Sequence, residues 1–291
     1  MSTAVAPDVV SIPDSPAVRR PKKRWTRFIL PVFTIGMIVY LAFPVFVMIL
    51  YSFNIVENRQ VPEFTCCTLH WWRNIAAIPE LNDALVTSVA IGLLTATAAT
   101  ILGTFVGLVL GRYSFRGRGA TNFVIFLAIA VPEIVLGSSL LAMFVQLNST
   151  KPVGLTAALG FGTILFSHIA FSIAFVAITV RARVQGLDLT LEEAAQDLYA
   201  NPRAAFFKVT FPLILPGIVA GFLLAFVLSL DDFVITNFVN GTRNTFPTWV
   251  YGVQKLGFPV QVNVWGTVLF TVGVAIAAIQ VVRTRRSVSP S

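Results

Sequence analysis

Charge is scarce in this chain: only 12% of its 291 residues are Asp, Glu, Lys or Arg, against 56% that are hydrophobic. A soluble core of this size has no room for so much apolar surface, and a mean hydropathy of +0.81 makes lipid the solvent for much of the chain. Cysteine and histidine are nearly absent, at two each. Cys66 and Cys67 are adjacent, which excludes a disulfide framework and any metal-ligand spacing, so they read as incidental. No Gly-x-x-x-x-Gly-Lys-Ser/Thr phosphate loop occurs, nor a His-Glu-x-x-His or Gly-x-Ser-x-Gly motif. Nucleotide hydrolysis must therefore reside on another polypeptide, and the chain by itself is not an enzyme. Alternating strands are missing too: the apolar runs are continuous, which excludes a barrel and leaves helices.

The apolar runs are Phe28 to Leu50, Leu85 to Leu110, Thr121 to Val145, Leu155 to Val180, Leu213 to Ile235 and Val264 to Val282. Each reaches the ~20 residues that a bilayer core requires, which predicts an all-α integral membrane protein with six transmembrane helices. The first run is too long for the apolar region of a signal peptide and has no small-residue cleavage site, so it is expected to remain as a membrane helix. Residues 1–27 carry four prolines and a basic cluster from Arg19 to Arg27 without apolar periodicity, the composition of a disordered tail. A short basic tail is expected over 283–291.

The net charge of +8 is arranged in clusters beside apolar runs, a pattern of membrane topology rather than of nucleic-acid binding. The first tail, the segment with Arg112, Arg116 and Arg118, the loop with Arg181, Arg183, Arg203 and Lys208, and the last tail together hold sixteen of the 21 Lys and Arg residues. Arg59, Arg73, Lys151, Arg243 and Lys255 fall on the other side. Both termini are thus expected in the cytoplasm. The outer segments are then Tyr51 to Ala84, a link near Lys151, and Thr236 to Asn263, where Trp71, Trp72, Trp249 and Tyr251 suit the interface. Gly103, Gly107 and Gly111 lie on one face of the second span and predict a close helix contact, within the chain rather than as a dimer seam.

The cytoplasmic loop, 181–212, encodes two helices. Thr190-Leu-Glu-Glu193 has the capping-box spacing, and Leu187, Leu191, Ala194, Ala195 and Leu198 form a narrow apolar stripe beside Glu192, Gln196 and Asp197. Asn201 before Pro202 marks a second helix start, running to Thr210, and Pro212 and Pro216 are expected to break the chain before it re-enters the membrane. An amphipathic pair of this kind either lies in the lipid interface or docks its stripe on another protein. Inside the spans the acids are Glu133, Asp231 and Asp232, each costing ~2.5 to 3.5 kcal/mol at mid-bilayer. Counted along straight helices, Glu133 lies ~18 Å from Thr121 and Asp231 ~27 Å from Leu213, which puts the aspartates near the outer mouth and Glu133 deeper. Such carboxylates either attract a cationic solute or serve packing and helix ends. His168 is expected to hydrogen-bond across helices, with a carboxylate partner as the other reading.

The run Glu193-Ala-Ala-Gln-Asp-Leu-Tyr199, followed by Val209-Thr-Phe-Pro212 and Leu215-Pro216, closely resembles the Glu-Ala-Ala loop of type I ABC-importer permeases. Tyr199 stands where that family has glycine, and Phe211 where it has leucine. A glycine there would permit a left-handed turn, which costs tyrosine roughly 1 kcal/mol or more. The resemblance extends to Phe43-Pro44, Tyr51-Ser-Phe-Asn54, Arg112-Tyr-Ser-Phe-Arg116, Pro132-Glu133-Ile-Val, Phe166-Ser-His168, Leu228-Ser-Leu-Asp231-Asp232 and Phe238-Val-Asn-Gly241. In their order these pieces are similar to the second, or C-type, permease of spermidine and putrescine importers.

The resemblance implies a type I importer permease fold in a prokaryotic cytoplasmic membrane. It implies a homologous second permease, two copies of a partner ATPase that bind the ATP and Mg, and an extracytoplasmic binding protein. It further implies that Glu193, Ala194, Ala195, Asp197, Leu198 and Tyr199 couple the chain to the ATPase, while Glu133, Asp231 and Asp232 line a polyamine path. An importer of the same family for ferric iron or another organic cation, or a gradient-driven carrier, remains as an alternative.

Overall fold

A computed structural model describes residues 26–55, 63–150, 158–188 and 190–288. Expectations for the first tail up to residue 25, for Arg59 and for the link at Lys151 lie outside the described residues. Among the described residues every regular element is helical, and five helices are long and apolar enough to cross a membrane, or six if one sharply bent pair counts as a single span.

Helix α1 spans Thr26–Tyr51 and forms a unit of its own up to Leu50. The second unit, from Tyr51 on, contains α2 (His70–Arg73), α3 (Pro79–Arg112), α4 (Arg118–Ala130), α5 (Glu133–Thr150), α6 (Phe161–Gln185), α7 (Thr190–Asp197), α8 (Pro202–Ala205), α9 (Phe211–Asp231), α10 (Val234–Val239), α11 (Phe246–Val253) and α12 (Val260–Val288). A π-helical turn, Phe206–Thr210, joins α8 to α9.

The core of this second unit is the packing of α3, α6 and α9 on one another. Ala96 and Ala99 of α3, Val176, Val180 and Val184 of α6, and Ile214 and Ala225 of α9 are buried together. The expected glycine stripe is the seam that lets α3 approach α6. A Cβ on Gly103 would lie 2.7 Å from the Cβ of Val176, one on Gly107 2.7 Å from the carbonyl of Ala177, and one on Gly111 2.7 Å from Val184. The contact lies within the chain. It replaces side-chain bulk by backbone proximity, which is how apolar helices gain dispersion energy in lipid. A second cluster, built on Ile91, Phe144, Ile164 and Val239, holds α5 and α10 against α3 and α6.

Three expectations about the spans need correction. The run Thr121 to Val145 is not one helix: α4 and α5 meet at an angle of 103°. Pro132 has no amide hydrogen and biases Val131 away from helical geometry, so Val131 is extended (φ −68°, ψ 128°) and the helix restarts at Glu133. The depth of Glu133 counted along a straight helix therefore does not apply. Nor do Pro212 and Pro216 break the chain, because helix runs on from Pro202 through the π-helical turn to Asp231. The turn takes up the register shift ahead of Pro212, which sits in the first turn of α9 where a missing donor is tolerated. Finally, α12 carries its helix to Val288 instead of ending at Val282, since Arg283, Thr284, Arg285 and Arg286 include no breaker.

The segments expected outside the membrane have structure of their own. Asn54 is fully buried; its side chain donates to the carbonyl of Glu63 and accepts from the amide of Thr65, and its carbonyl accepts from the indole of Trp71. Cys66 and Cys67 are closed on each other as a vicinal disulfide, which bridges no two elements. Phe246 at the start of α11 donates its amide to Ser88 of α3.

Candidate functional site

The loop between α6 and α9 folds as the sequence leads one to expect, through caps that differ in one respect. Thr190 does not cap α7. Its amide and hydroxyl both donate to Asp188 Oδ1, at 3.0 and 2.8 Å, so the oxygen at this N-terminus comes from Asp188, an acid placed where the helix dipole favours one. At the second helix Asn201 caps α8 by accepting from the amide of Ala204 at 2.7 Å, with Pro202 in the first helical position.

Between them lies a turn with the two bonds of a Schellman motif. The amide of Tyr199 donates to Gln196 and that of Ala200 to Ala195, at 2.9 and 3.1 Å. Tyr199 takes the left-handed conformation, φ +63°, at the position where the resemblance has glycine. The departure in sequence thus leaves the turn intact and puts a strained, 99% exposed tyrosine at its tip.

The face that α7 turns inward is centred on Glu192, which sequence reasoning passed over. Only 8% exposed, its carboxylate accepts from Arg112 through Nη1 and Nη2, both at 2.7 Å, and from the Thr210 hydroxyl at 2.6 Å. The Arg112 guanidinium, together with Thr210, holds the Glu192 carboxyl below the usual carboxylate range against the opposing effect of burial. Leu187, Leu191, Val209 and Leu213 line a small cavity around this cluster. The predicted apolar stripe is divided: Leu187 and Leu191 border this cavity, while Ala194 and Leu198 are exposed. Glu193, Ala194, Asp197, Leu198 and Tyr199 are exposed and Ala195 half-buried, with Leu198 81% exposed and Phe207, on the π-helical turn, 64%. All six residues expected to couple the chain to an ATPase lie on one short helix and its turn; five of them are exposed, whereas Ala195, three residues after Glu192 and on the same side of the helix, is half-buried.

The three acids expected along a substrate path are not brought together as a cluster. Glu133 is exposed in the first turn of α5, just past the sharp bend. Asp231 ends α9 and is exposed. Asp232 turns inward: its carboxylate accepts from the amide and hydroxyl of Thr236, both at 2.8 Å, which ties the start of α10. It also lies 3.2 Å from Nε2 of the buried His168. His168 bridges α6 to α9 through Nδ1 and Ser229 at 2.7 Å, and to α10 through Nε2 and Thr236 at 2.9 Å. Both readings of His168, cross-helix bonding and a carboxylate partner, apply at once.

Comparison with known proteins adds to this geometry. Residues 103–285 match the family described as "Binding-protein-dependent transport system inner membrane component". The chain is 36% identical over 232 residues to the "Putrescine transport system permease protein PotI" of Escherichia coli, covering 79% of this chain and 81% of that one. It is 32% identical over 261 residues to the "Spermidine/putrescine transport system permease protein PotC" of Haemophilus influenzae, covering 89% and 98%. Among solved structures, a bacterial ABC transporter involved in the import of the acidic polysaccharide alginate superposes with a TM-score of 0.69 at 13% identity, over 91% of this chain and 96% of that one. The MetNI methionine ABC transporter in an inward-facing conformation does so with 0.54 at 18%, over 72% and 96%. These two likenesses show the fold.

Proposed function

Because the chain belongs to the family of binding-protein-dependent transport system inner membrane components, we propose that it is one of two permease subunits of an ATP-driven importer that carries polyamines, such as spermidine or putrescine, across a prokaryotic cytoplasmic membrane. A binding protein on the outer side delivers the solute to the segments that include α2 and α11. Of two copies of a separate ATPase, one engages the loop between α6 and α9 on the cytoplasmic side, where both termini lie, and the other engages the second permease. The observation that carries this reading is the helix pair at the ends of the core helices. It is anchored on one face by Glu192 and bare on the other, where Ala194, Leu198 and Tyr199 stand exposed. An apolar face that the chain itself leaves uncovered, on a helix with defined caps at both ends, suits a groove on a second protein.

Polyamines are the cargo that the relatives and the chemistry favour together. Carboxylates in a narrow, poorly hydrated passage attract a polycation strongly, since Coulomb attraction grows as the local dielectric falls. Glu133 and Asp231 are exposed and would offer their charge to the solute, while Asp232 holds the end of α9 through His168 and Thr236. ATP-driven closure of the ATPases biases the permease pair between inward- and outward-facing states, because the loop is gripped differently in the two nucleotide states.

The test is uptake of labelled spermidine and putrescine into proteoliposomes containing the whole complex, with and without ATP. Uptake should require ATP and the binding protein. Glu193→Ala should lower transport-coupled hydrolysis while the isolated ATPase is unaffected, and Asp231→Asn should lower uptake while leaving assembly intact. Uptake that ignores ATP would put the chain among gradient-driven carriers instead.

A further inference from the structure

We propose that Glu192, Arg112 and Thr210 form a latch that stays closed through the transport cycle and makes the inner ends of α3, α7 and α9 move as one piece. Force received by the loop then reaches two core helices at once. The inference rests on the reading above, that a separate ATPase drives the loop; it concerns positioning residues on the side of α7 that faces the membrane bundle.

Three elements meet at one carboxylate. Glu192 lies in the first turn of α7, Arg112 is the last residue of α3, and Thr210 is the last residue of the turn that leads into α9. Each oxygen of Glu192 takes one guanidinium nitrogen of Arg112 at 2.7 Å, and Oε2 also takes the Thr210 hydroxyl at 2.6 Å. A planar fork on a planar carboxylate fixes angle as well as distance, so it resists sliding and rotation in a way that a lysine, acting as a point charge, does not.

The pair is well shielded, with the Glu192 side chain 11% and that of Arg112 23% exposed, which spares it much of the screening suffered by surface ion pairs. What it joins is already rigid beyond the latch. Gly111, one residue before Arg112, sits against Val184 of α6, and Gly217 of α9 sits against the Arg183 side chain. Adjacent residues of α7 thus divide two tasks: Glu193 with Leu198 and Tyr199 faces outward, while Glu192 ties the helix to its own bundle.

The experiment measures polyamine moved per ATP hydrolysed in the reconstituted complex. A latch predicts that Glu192→Gln lowers this ratio by about tenfold, as expected when charge-assisted bonds are lost. Arg112→Lys, which keeps the charge without the fork, should lower it to an intermediate value. The double variant Glu192→Gln with Arg112→Gln should fall no further than the worse single one, because both break one interaction. A residue that merely stabilised the loop would lower uptake and hydrolysis together with the amount of assembled complex, and a ratio held at the wild-type value in all variants overturns the latch. If Glu192→Gln does not assemble, Thr210→Val removes a single bond and decides the matter by the same ratio. Wild-type complex without ATP-dependent uptake would instead sink the importer reading and the latch with it, an outcome distinct from a normal wild type with an unmoved ratio.

Discussion

Replacing Tyr199 by glycine should tighten the turn after α7 and at the same time weaken transport. The two effects have different physical origins. At φ +63° an L side chain crowds its own carbonyl, at roughly 1 to 2 kcal/mol. Glycine has no Cβ and escapes that cost, but it gives the open chain more freedom, which returns about 0.5 to 1 kcal/mol. The tyrosine ring is 99% exposed and contributes no packing inside the chain, so nothing further is lost on truncation. The balance favours the glycine turn by about 0.5 to 1 kcal/mol, or about a two- to fivefold shift in local opening.

Hydrogen exchange reads this shift directly, because the amides of residues 199 and 200 close the turn on Gln196 and Ala195. Both should exchange about two- to fivefold more slowly in Tyr199→Gly. Tyr199→Ala is the control: it removes the ring but keeps Cβ, so its exchange should be no slower than in wild type. If the ring packs on the ATPase, both variants should lose coupled transport to a similar extent. Exchange as fast in Tyr199→Gly as in wild type would refute the strain argument, and full transport in both would refute the contact.

Two further outcomes follow from the packing and the charges. Gly107→Val should destabilise the detergent-solubilised protein by about 1 to 3 kcal/mol and lower its melting temperature. Even the first added carbon meets backbone, the Ala177 carbonyl at 2.7 Å and the Arg181 amide nitrogen at 3.1 Å, whereas Gly119→Ala meets nothing and should hold the melting temperature or raise it slightly. Glu192 has its folded-state pKa lowered by Arg112 and Thr210, so its contribution to docking of the loop is fully present above the ordinary glutamate range of roughly 4. That contribution is lost as pH falls through the lowered value. Exchange protection over 190–210 should accordingly hold from neutral pH to about 5 and decline below about 4, and Glu192→Gln should remove that dependence.

Much of this architecture is legible in composition and pattern. Apolar runs of spanning length, a glycine every fourth residue at 103, 107 and 111, and Asn201 before Pro202 each have one physical meaning in lipid or at a helix start, and the structure uses them so. The bend after Ala130 was less legible. Hydropathy is continuous across it, and a proline inside a span is compatible with a mild kink, so only tertiary packing decides on 103°. The reverse holds at Pro212 and Pro216, which pattern marks as breaks: a π-helical turn whose register no local rule announces precedes Pro212, and Pro216 sits inside α9.

The pairs of neighbouring acids show where pattern reading stops. Glu192 and Glu193 are interchangeable in charge and propensity, and so are Asp231 and Asp232, yet in each pair one member is turned inward onto partners and the other is exposed. In α7 successive residues point about 100° apart, which separates Glu192 from Glu193, whereas Asp231 ends α9 and Asp232 is the extended residue beyond it; in both pairs the choice depends on which neighbour offers a donor. Some of these partners are distant in sequence: Arg112 of Glu192 lies on α3 and His168 of Asp232 on α6, while the Thr236 donors of Asp232 are local. Arg112 in particular reads from sequence as a topology charge at the end of a span, a role that any of several basic residues there would fill. Its second role exists only because the α3–α6 glycine seam and the turn before α9 bring the end of α3 beside Glu192. The inward acids follow from how the helices meet, and the outward ones are left free to act on other molecules.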